Sequence, residues 1–396
     1  MYSNFCHVLR SLDQNCTKKV MKIGILTLPI DVNYGGILQG YALKTILERE
    51  GHVVLFLNLR YTPIPLYLRF LVYCKKLIYS YLWGQGRITN KEWKYVSHSV
   101  TDFASRYMVF TRSLYNSTDL RNELKKKELD AIIYGSDQIW SRHYSPNLEC
   151  YFGSFLTESE KIKQLSYAAS FGSSCGADYP KEQLDFYRCL LKRFVAVSVR
   201  EKSGVDICKE YFNVDAEQLL DPTLLLDADD YRKLISAALT RPSKGNLHVY
   251  ILDETNEKID LVNRIAKERN LIPFYSNVNF LDIHKSIEER CLFSVEQWLR
   301  SFDDASFIIT DSFHGCIFSI LFRKNFIAIG NVTRGIERFF SLLDLFSLRE
   351  RLILSCEEYD SKKKGLQNDI DFDMVYSKLF KYREHAFSFI KTYCKK

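Results

Sequence analysis

Apolar residues recur along this chain at two alternating periods. "KIGILTL" (22–28) is a short, nearly continuous apolar run, the pattern of a buried strand. "GGILQGYALKTILEREG" (35–51) then sets Ile37, Leu38, Tyr41, Ala42, Thr45 and Ile46 at helical spacing and stops at Gly51. "HVVLFLNL" follows as a second strand. Strand, helix and strand within about forty residues predict a βαβ unit and hence a parallel sheet. The alternation resumes at "LDAIIYGSDQIW" (129–140), "KQLSYAASFG" (163–172) and "FVAVSVREKSG" (194–204), and "AEQLLDPTLLL" (216–226) closes a first domain. Residues 60–128 between them read as a helical insertion rich in aromatic and basic residues.

"RPSKGN" (241–246) is a linker by composition. A second alternation follows: strand "LHVYILD", a helix from Glu257 to Glu268, and strand "LIPFYS". Ser294 and Gln297 form a capping-box pattern. "FIITDSFHGCIFSILF" (307–322) begins as a strand and ends as a helix, before strand "FIAIG" (326–330) and helices after Gly335. The prediction is an α/β protein of two doubly wound Rossmann-like domains, with ligands beyond the carboxyl ends of the strands. The expected bounds are a poorly packed extension at 1–20, a first domain at 21–226 and a second at 241–355. A helical tail at 356–396 is expected to pack back on the first domain.

The length of 396 residues agrees with two domains. A formal charge of +7 suits anionic small molecules or an anionic membrane surface as well as nucleic acid. No long basic block or Arg-rich tail appears, so a nucleic-acid partner is not expected. The eleven cysteines are scattered, odd in number and form no C-x-x-C pair. That argues against a disulfide framework or a zinc site and for a reducing, cytoplasmic setting. The first twenty residues hold no continuous apolar region and read as no secretory signal; Met21 can serve as a natural start. The most apolar stretch, 63–84, is interrupted by Arg69, Lys75 and Lys76, which argues against a transmembrane helix. Two readings stay open for it: an amphipathic contact with a membrane or lipid-linked substrate, or an insertion packed on the protein's own surface.

Candidate chemistry gathers at four strand-to-helix corners. In "DVNYGG" (31–36), Asn33, Gly35 and Gly36 allow a ligand close to the backbone, or simply make a tight turn. In "GSDQIW" (135–140), Ser136, Asp137 and Gln138 follow a buried strand, and Asp137 reads as a helix cap or a base. "VSVREKSG" (197–204) sets Arg200 at a strand end, as a surface ion pair or an anion clamp. In "ITDSFHG" (309–315), Thr310 and Ser312 can cap the helix and Asp311 suits its positive end. His314 falls in the first turn, where a lone histidine is more often structural. The helix end disfavours imidazolium there, whereas an arriving dianion favours it. No Walker A loop, G-x-S-x-G elbow, H-E-x-x-H motif or G-x-G-x-x-G fingerprint is present, so no cofactor or metal is expected.

Six stretches, "YGGILQGYAL", "YGSDQIW", "SYAASFG", "SVREKSG", "LDPTLLL" and "ITDSFHGCIFSILFRKNFIAI…RGIERF", occur in an order that resembles the polysaccharide pyruvyl transferase family. The resemblance runs from about residue 22 to about residue 350; the 60–128 region and the tail carry none of it. It implies a GT-B-like fold with the site between the domains. Phosphoenolpyruvate is the implied donor, with a sugar diol of a surface polysaccharide or its lipid-linked precursor as acceptor. The implied product is a cyclic pyruvate ketal, made in the cytoplasm or at the inner face of the membrane. By the same resemblance His314 and Arg200 serve the donor. Ser312 stands where some branches carry a donor-binding arginine, so Arg334 and Arg338 of "RGIERF" are the candidate replacements. Asn325 replaces a proline common in relatives. His314 is then the expected acid, helix amides after Ser312 add anion contacts, and Asp137 or Asp311 takes the acceptor's proton. Two rival readings remain: a nucleotide-sugar glycosyltransferase, and a non-catalytic saccharide-binding protein.

Overall fold

The computed structural model describes residues 20–68, 71, 74–75, 88–172, 179–282, 285–331 and 335–395. Two parallel sheets organise them. The first contains β1 (Lys22–Leu26), β2 (Val53–Phe56), β3 (Ala131–Asp137), β4 (Lys163–Ala169), β5 (Ser198–Val199) and β6 (Glu217–Gln218), in the order β2-β1-β3-β4-β5-β6. The second contains β7 (Leu247–Tyr250), β8 (Pro273–Tyr275), β9 (Phe307–Thr310), β10 (Asn325–Ile329) and β11 (Leu352–Ile353), in the order β11-β10-β9-β7-β8. Every strand pair is parallel. This is the two-domain, GT-B-like α/β fold.

Strand order reverses between β1 and β3 in the first sheet and between β7 and β9 in the second. Chains leaving adjacent strands in opposite directions open a crevice there. The corners after β1, β3 and β9 are "DVNYGG", "SDQIW" and "DSFHG". The topology therefore brings three of the four polar corners to the two crevices.

The helix Tyr34–Arg49 joins the domains. Asn33 caps it, its Oδ1 accepting from the Gly36 amide at 3.2 Å. Tyr34 stacks on Trp298 with ring centroids 5.1 Å apart, and its hydroxyl donates to the Phe293 carbonyl at 2.8 Å. One apolar cluster runs from Ile25 through Ile37 and Leu38 to Trp298 and Phe318. The two sheets thus share a core on this side.

In the insertion, the helices Asn90–Val96 and His98–Tyr107 also cross to the second domain. Glu92 pairs with Arg290 at 3.1 Å and Arg106 with Glu296 at 2.7 Å. Of the 63–84 stretch, residues 69–70, 72–73 and 76–84 lie outside the described residues, as do residues 1–19. Its described part leaves Leu66 and Tyr67 exposed. Among the described residues no helix is long and apolar enough to cross a membrane.

One local expectation changes. Ser294 does cap its helix, accepting from the Gln297 amide at 3.1 Å. The Gln297 side chain does not close a capping box; it bonds the Arg241 amide and carbonyl at 2.7 and 2.8 Å. A backbone pair in the linker outcompetes the single cap amide for that carboxamide. The tail forms the helices Glu358–Gln367 and Phe372–Tyr393, and the second lies against the first domain, with Phe389 edge-on to Tyr167.

Candidate functional site

A cavity of about 340 Å³ opens between the carboxyl ends of the two sheets. Asn33, Gly35, Asp137 and Gln138 line it from the first domain, and Ser312, His314 and Arg338 from the second.

The polar corner after β9 divides its tasks. The Thr310 hydroxyl donates to the Tyr250 carbonyl at 2.7 Å and accepts from the Ser312 amide at 3.0 Å. Ser312 is the cap, accepting from the Gly315 amide at 3.3 Å. Asp311 accepts from the Leu252 amide at 2.6 Å, the Asp253 amide at 3.1 Å and Lys258 Nζ at 2.8 Å. Three partners on a fully buried side chain tie β9 to the end of β7. Asp311 lines the cavity too, but both of its oxygens already accept from scaffold groups, which leaves Asp137 the better-placed base.

His314 projects to the other domain. A Cβ built on Gly35 would lie 2.0 Å from its Nδ1, so the imidazole rests on bare backbone. Its Nε2 is buried, has no hydrogen-bond partner and stands 3.6 Å from Asp221 Oδ2. Asp221 also accepts from Arg200 Nη1 at 2.8 Å, Ser136 Oγ at 3.4 Å, the Thr223 amide at 3.0 Å and Thr223 Oγ1 at 2.6 Å. Burial opposes charge on Asp221. The imidazole of His314, the Arg200 guanidinium and Thr223 outweigh it and hold the carboxyl well below the usual range.

The family can now be stated on more than resemblance. The model of the polysaccharide pyruvyl transferase family matches residues 33–332, which include the first corner from Asn33 on and the other three whole. The chain belongs to that family. No curated protein matches the sequence. Among solved structures, a putative UDP-N-acetylglucosamine 2-epimerase from Listeria monocytogenes is similar at 9% identity and a TM-score of 0.50, over 91% of this chain and 90% of that one. Arabidopsis thaliana UGT89C1 complexed with UDP-L-rhamnose gives 10% identity and 0.49, over 93% and 94%. These likenesses concern fold alone.

Two arginines of this polysaccharide pyruvyl transferase family member flank one ring. The guanidinium carbon of Arg200 lies 4.6 Å from the Phe313 centroid and that of Arg338 lies 5.4 Å from it. Their settings differ. Arg200 keeps only 2% of its side chain exposed, pairs with Asp221 and has Nη2 3.5 Å from Asp137 Oδ1. Burial works against its charge, but Asp221, Asp137 and Glu201 raise its pKa. Arg200 does not line the cavity; its Nη1 bonds Asp221, while Nε and Nη2 are buried without a hydrogen-bond partner. Arg338 lines the cavity instead. Burial, with Arg200 adding its positive charge, lowers the Arg338 pKa to about 10, so it stays cationic near neutrality.

The remaining candidates divide in the same way. Asp137 lines the cavity and accepts from the Gln138 amide at 2.9 Å. Ser136 is fully buried and supports from behind, its amide donating to Gln39 Oε1 at 3.1 Å. Gly36 does not need to be glycine for space, since a Cβ there meets Asp137 Oδ2 at an ordinary 3.6 Å. Arg334 lies outside the described residues. The residue that sequence reasoning passed over is Asp221. Its motif, "LDPTLLL", was visible, and an aspartate set before Pro-Thr in an apolar run was the signal. Tyr144 and Phe280, which also line the cavity, carried none. Among the described residues no group of three His, Cys, Asp or Glu could hold a metal ion.

Proposed function

We propose that the protein transfers pyruvate from phosphoenolpyruvate to two hydroxyls of a sugar, forming a cyclic ketal and releasing phosphate. The observation that carries this reading is the placing of His314 and Arg338 on one cavity, opposite the Asp137 carboxylate. Ketal formation needs that set. His314 gives a proton to the methylene carbon, leaving cationic character on the neighbouring carbon. Arg338 and the amides after Ser312 hold the donor's anionic groups. A sugar hydroxyl adds to the cationic carbon and passes its proton to Asp137. The carbon–oxygen bond to phosphate breaks, and the second hydroxyl closes the ring. Asp137 hands the first hydroxyl's proton on to the departing phosphate, and the second hydroxyl's proton restores His314. The acceptor is a saccharide of a surface polysaccharide or its lipid-linked precursor, worked on in the cytoplasm or at the inner face of the membrane.

The test is phosphate release from phosphoenolpyruvate with a panel of hexose glycosides and lipid-linked saccharides. Acceptor-dependent release is expected. His314→Ala should lose on the order of 10²–10⁴-fold in turnover. Arg338→Gln should raise the phosphoenolpyruvate concentration needed far more than it lowers kcat. Thermal stabilisation by a nucleoside diphosphate, with none by phosphoenolpyruvate, would replace this reading with glycosyl transfer.

A further inference from the structure

We infer that Asp221 fixes the tautomer of His314 and so makes Nδ1 the atom that exchanges a proton with the substrate. This rests on the reading of His314 as the proton donor. It adds which nitrogen acts and which residue decides it.

The two ring nitrogens stand in opposite surroundings. Nε2 is buried, without a hydrogen-bond partner, and its nearest carboxylate oxygen is Asp221 Oδ2 at 3.6 Å. That distance is just beyond a hydrogen bond. At this distance the buried carboxylate already favours a hydrogen on Nε2 electrostatically, before any substrate binds. Nδ1 lies over Gly35, and His314 and Gly35 both line the cavity. The missing side chain at Gly35 makes room for the ring itself, and with Nε2 buried toward Asp221, Nδ1 is the nitrogen left for a ligand.

Asp221 is built to stay where it is. Thr223 holds Oδ1 by its amide and its hydroxyl, so the carboxylate cannot turn. Arg200 neutralises Oδ2 from one side and Ser136 donates to it from another. Asp221, Arg200 and Ser136 are all buried. A fixed acceptor opposite Nε2 demands a hydrogen there. In the neutral ring the proton then sits on Nε2 and Nδ1 keeps its lone pair. In the protonated ring the transferable hydrogen is the one on Nδ1. Asp221 orients and balances the imidazolium without taking the proton itself. It is thus a positioning residue, and His314 the catalytic one.

Nitrogen-15 spectra of the His314 ring in the full chain, without substrate, read the tautomer directly. The expected result is hydrogen on Nε2 in the neutral ring. In Asp221→Asn the carboxamide can turn its NH₂ toward Nε2, so the Nε2–H form should be lost. Turnover should fall on the order of 10²–10⁴-fold, with a much smaller change in the KM for phosphoenolpyruvate. Thr223→Val keeps the shape of the turn but frees Oδ1. It should give a mixed tautomer and an intermediate loss, and it serves if Asp221→Asn folds poorly. Hydrogen on Nδ1 in the wild type, or an unchanged Nε2–H signal in both variants, would overturn the inference. The spectra need no donor, so a failure of phosphoenolpyruvate as substrate is told apart from a failure of this assignment.

Discussion

Gly35 and Gly36 are neighbours in sequence with different tasks. A Cβ on Gly35 would meet His314 Nδ1 at 2.0 Å, Cγ at 2.4 Å and Cε1 at 2.5 Å. Real atoms do not approach so closely, so an added methyl must displace the imidazole. At Gly36 the nearest atom would be 3.6 Å away, an ordinary contact. Gly35→Ala should therefore cost at least about 10²-fold in turnover, the range of losing a general acid. Gly36→Ala should stay near wild type. Both lie in a helix, where alanine is favoured over glycine by up to about 1 kcal/mol; Gly36→Ala should keep its Tm, whereas in Gly35→Ala an overpacking cost of about 1–3 kcal/mol is set against that gain. Phosphate release and thermal unfolding of the pair decide it; equal activity in the two variants would refute the argument. The sequence left two readings for this backbone, a close approach by a ligand or simply a tight turn. It did not show that the approaching group is the chain's own histidine, because that contact spans two domains. Arg334 and Arg338 could be named from the sequence as replacements for the charge absent at Ser312; that Arg338 lines the cavity beside Phe313 is what spacing alone does not reveal.

At the level of elements, what could be read depended on length. The long strands β1, β3 and β4 announced themselves as apolar runs, and the helix Tyr34–Arg49 by its spacing. β5, β6 and β11 contain two residues each, too few for any period to register. Periodicity also says nothing of what a polar residue inside a strand does. His248 in β7 is fully buried, with Nε2 2.7 Å from Ser276 Oγ and its ring against Phe274 and Phe302. Burial pushes its pKa down to about 3 from an ordinary 6.5. The folded ring then stays neutral at pH values where the unfolded chain takes up a proton. Its contribution is complete above about pH 6.5 and shrinks as pH falls from there toward 3, by roughly 1.4 kcal/mol per unit. Urea unfolding at pH 7 and pH 5 should show roughly 2 kcal/mol of acid destabilisation from this residue. His248→Phe should remove that part of the slope, whatever its effect on stability at pH 7. An unaltered slope in the variant would mean that another group carries the pH dependence.

Across the whole molecule, the tail closes a circuit that reaches the site. The helix Phe372–Tyr393 follows the second domain in sequence but fastens the first. Arg383 donates from Nε to the Leu224 carbonyl at 2.5 Å and from Nη2 to the Leu226 carbonyl at 2.6 Å. Its Nη1 meets Asp227 at 2.5 Å, an end exposed enough to add little. An arginine on a tail helix reads as solvent-facing in sequence; only 6% of this side chain is exposed. The two carbonyls it holds belong to the turn Pro222–Leu225 and the residue after it, and Asp221 caps that turn. The tail therefore braces the element that presents Asp221 to His314. Arg383→Met keeps much of the apolar stem but leaves two buried carbonyls without their charged donor. Hydrogen bonds to a charged group are worth about 1.5–3 kcal/mol each, so a loss of about 3 kcal/mol in urea unfolding is expected. If the brace also sets the carboxylate, kcat should fall several-fold at saturating donor while the KM for phosphoenolpyruvate holds. A variant that loses stability yet keeps full turnover would confine the tail to holding the domains together. One that loses neither would remove Arg383 from both roles.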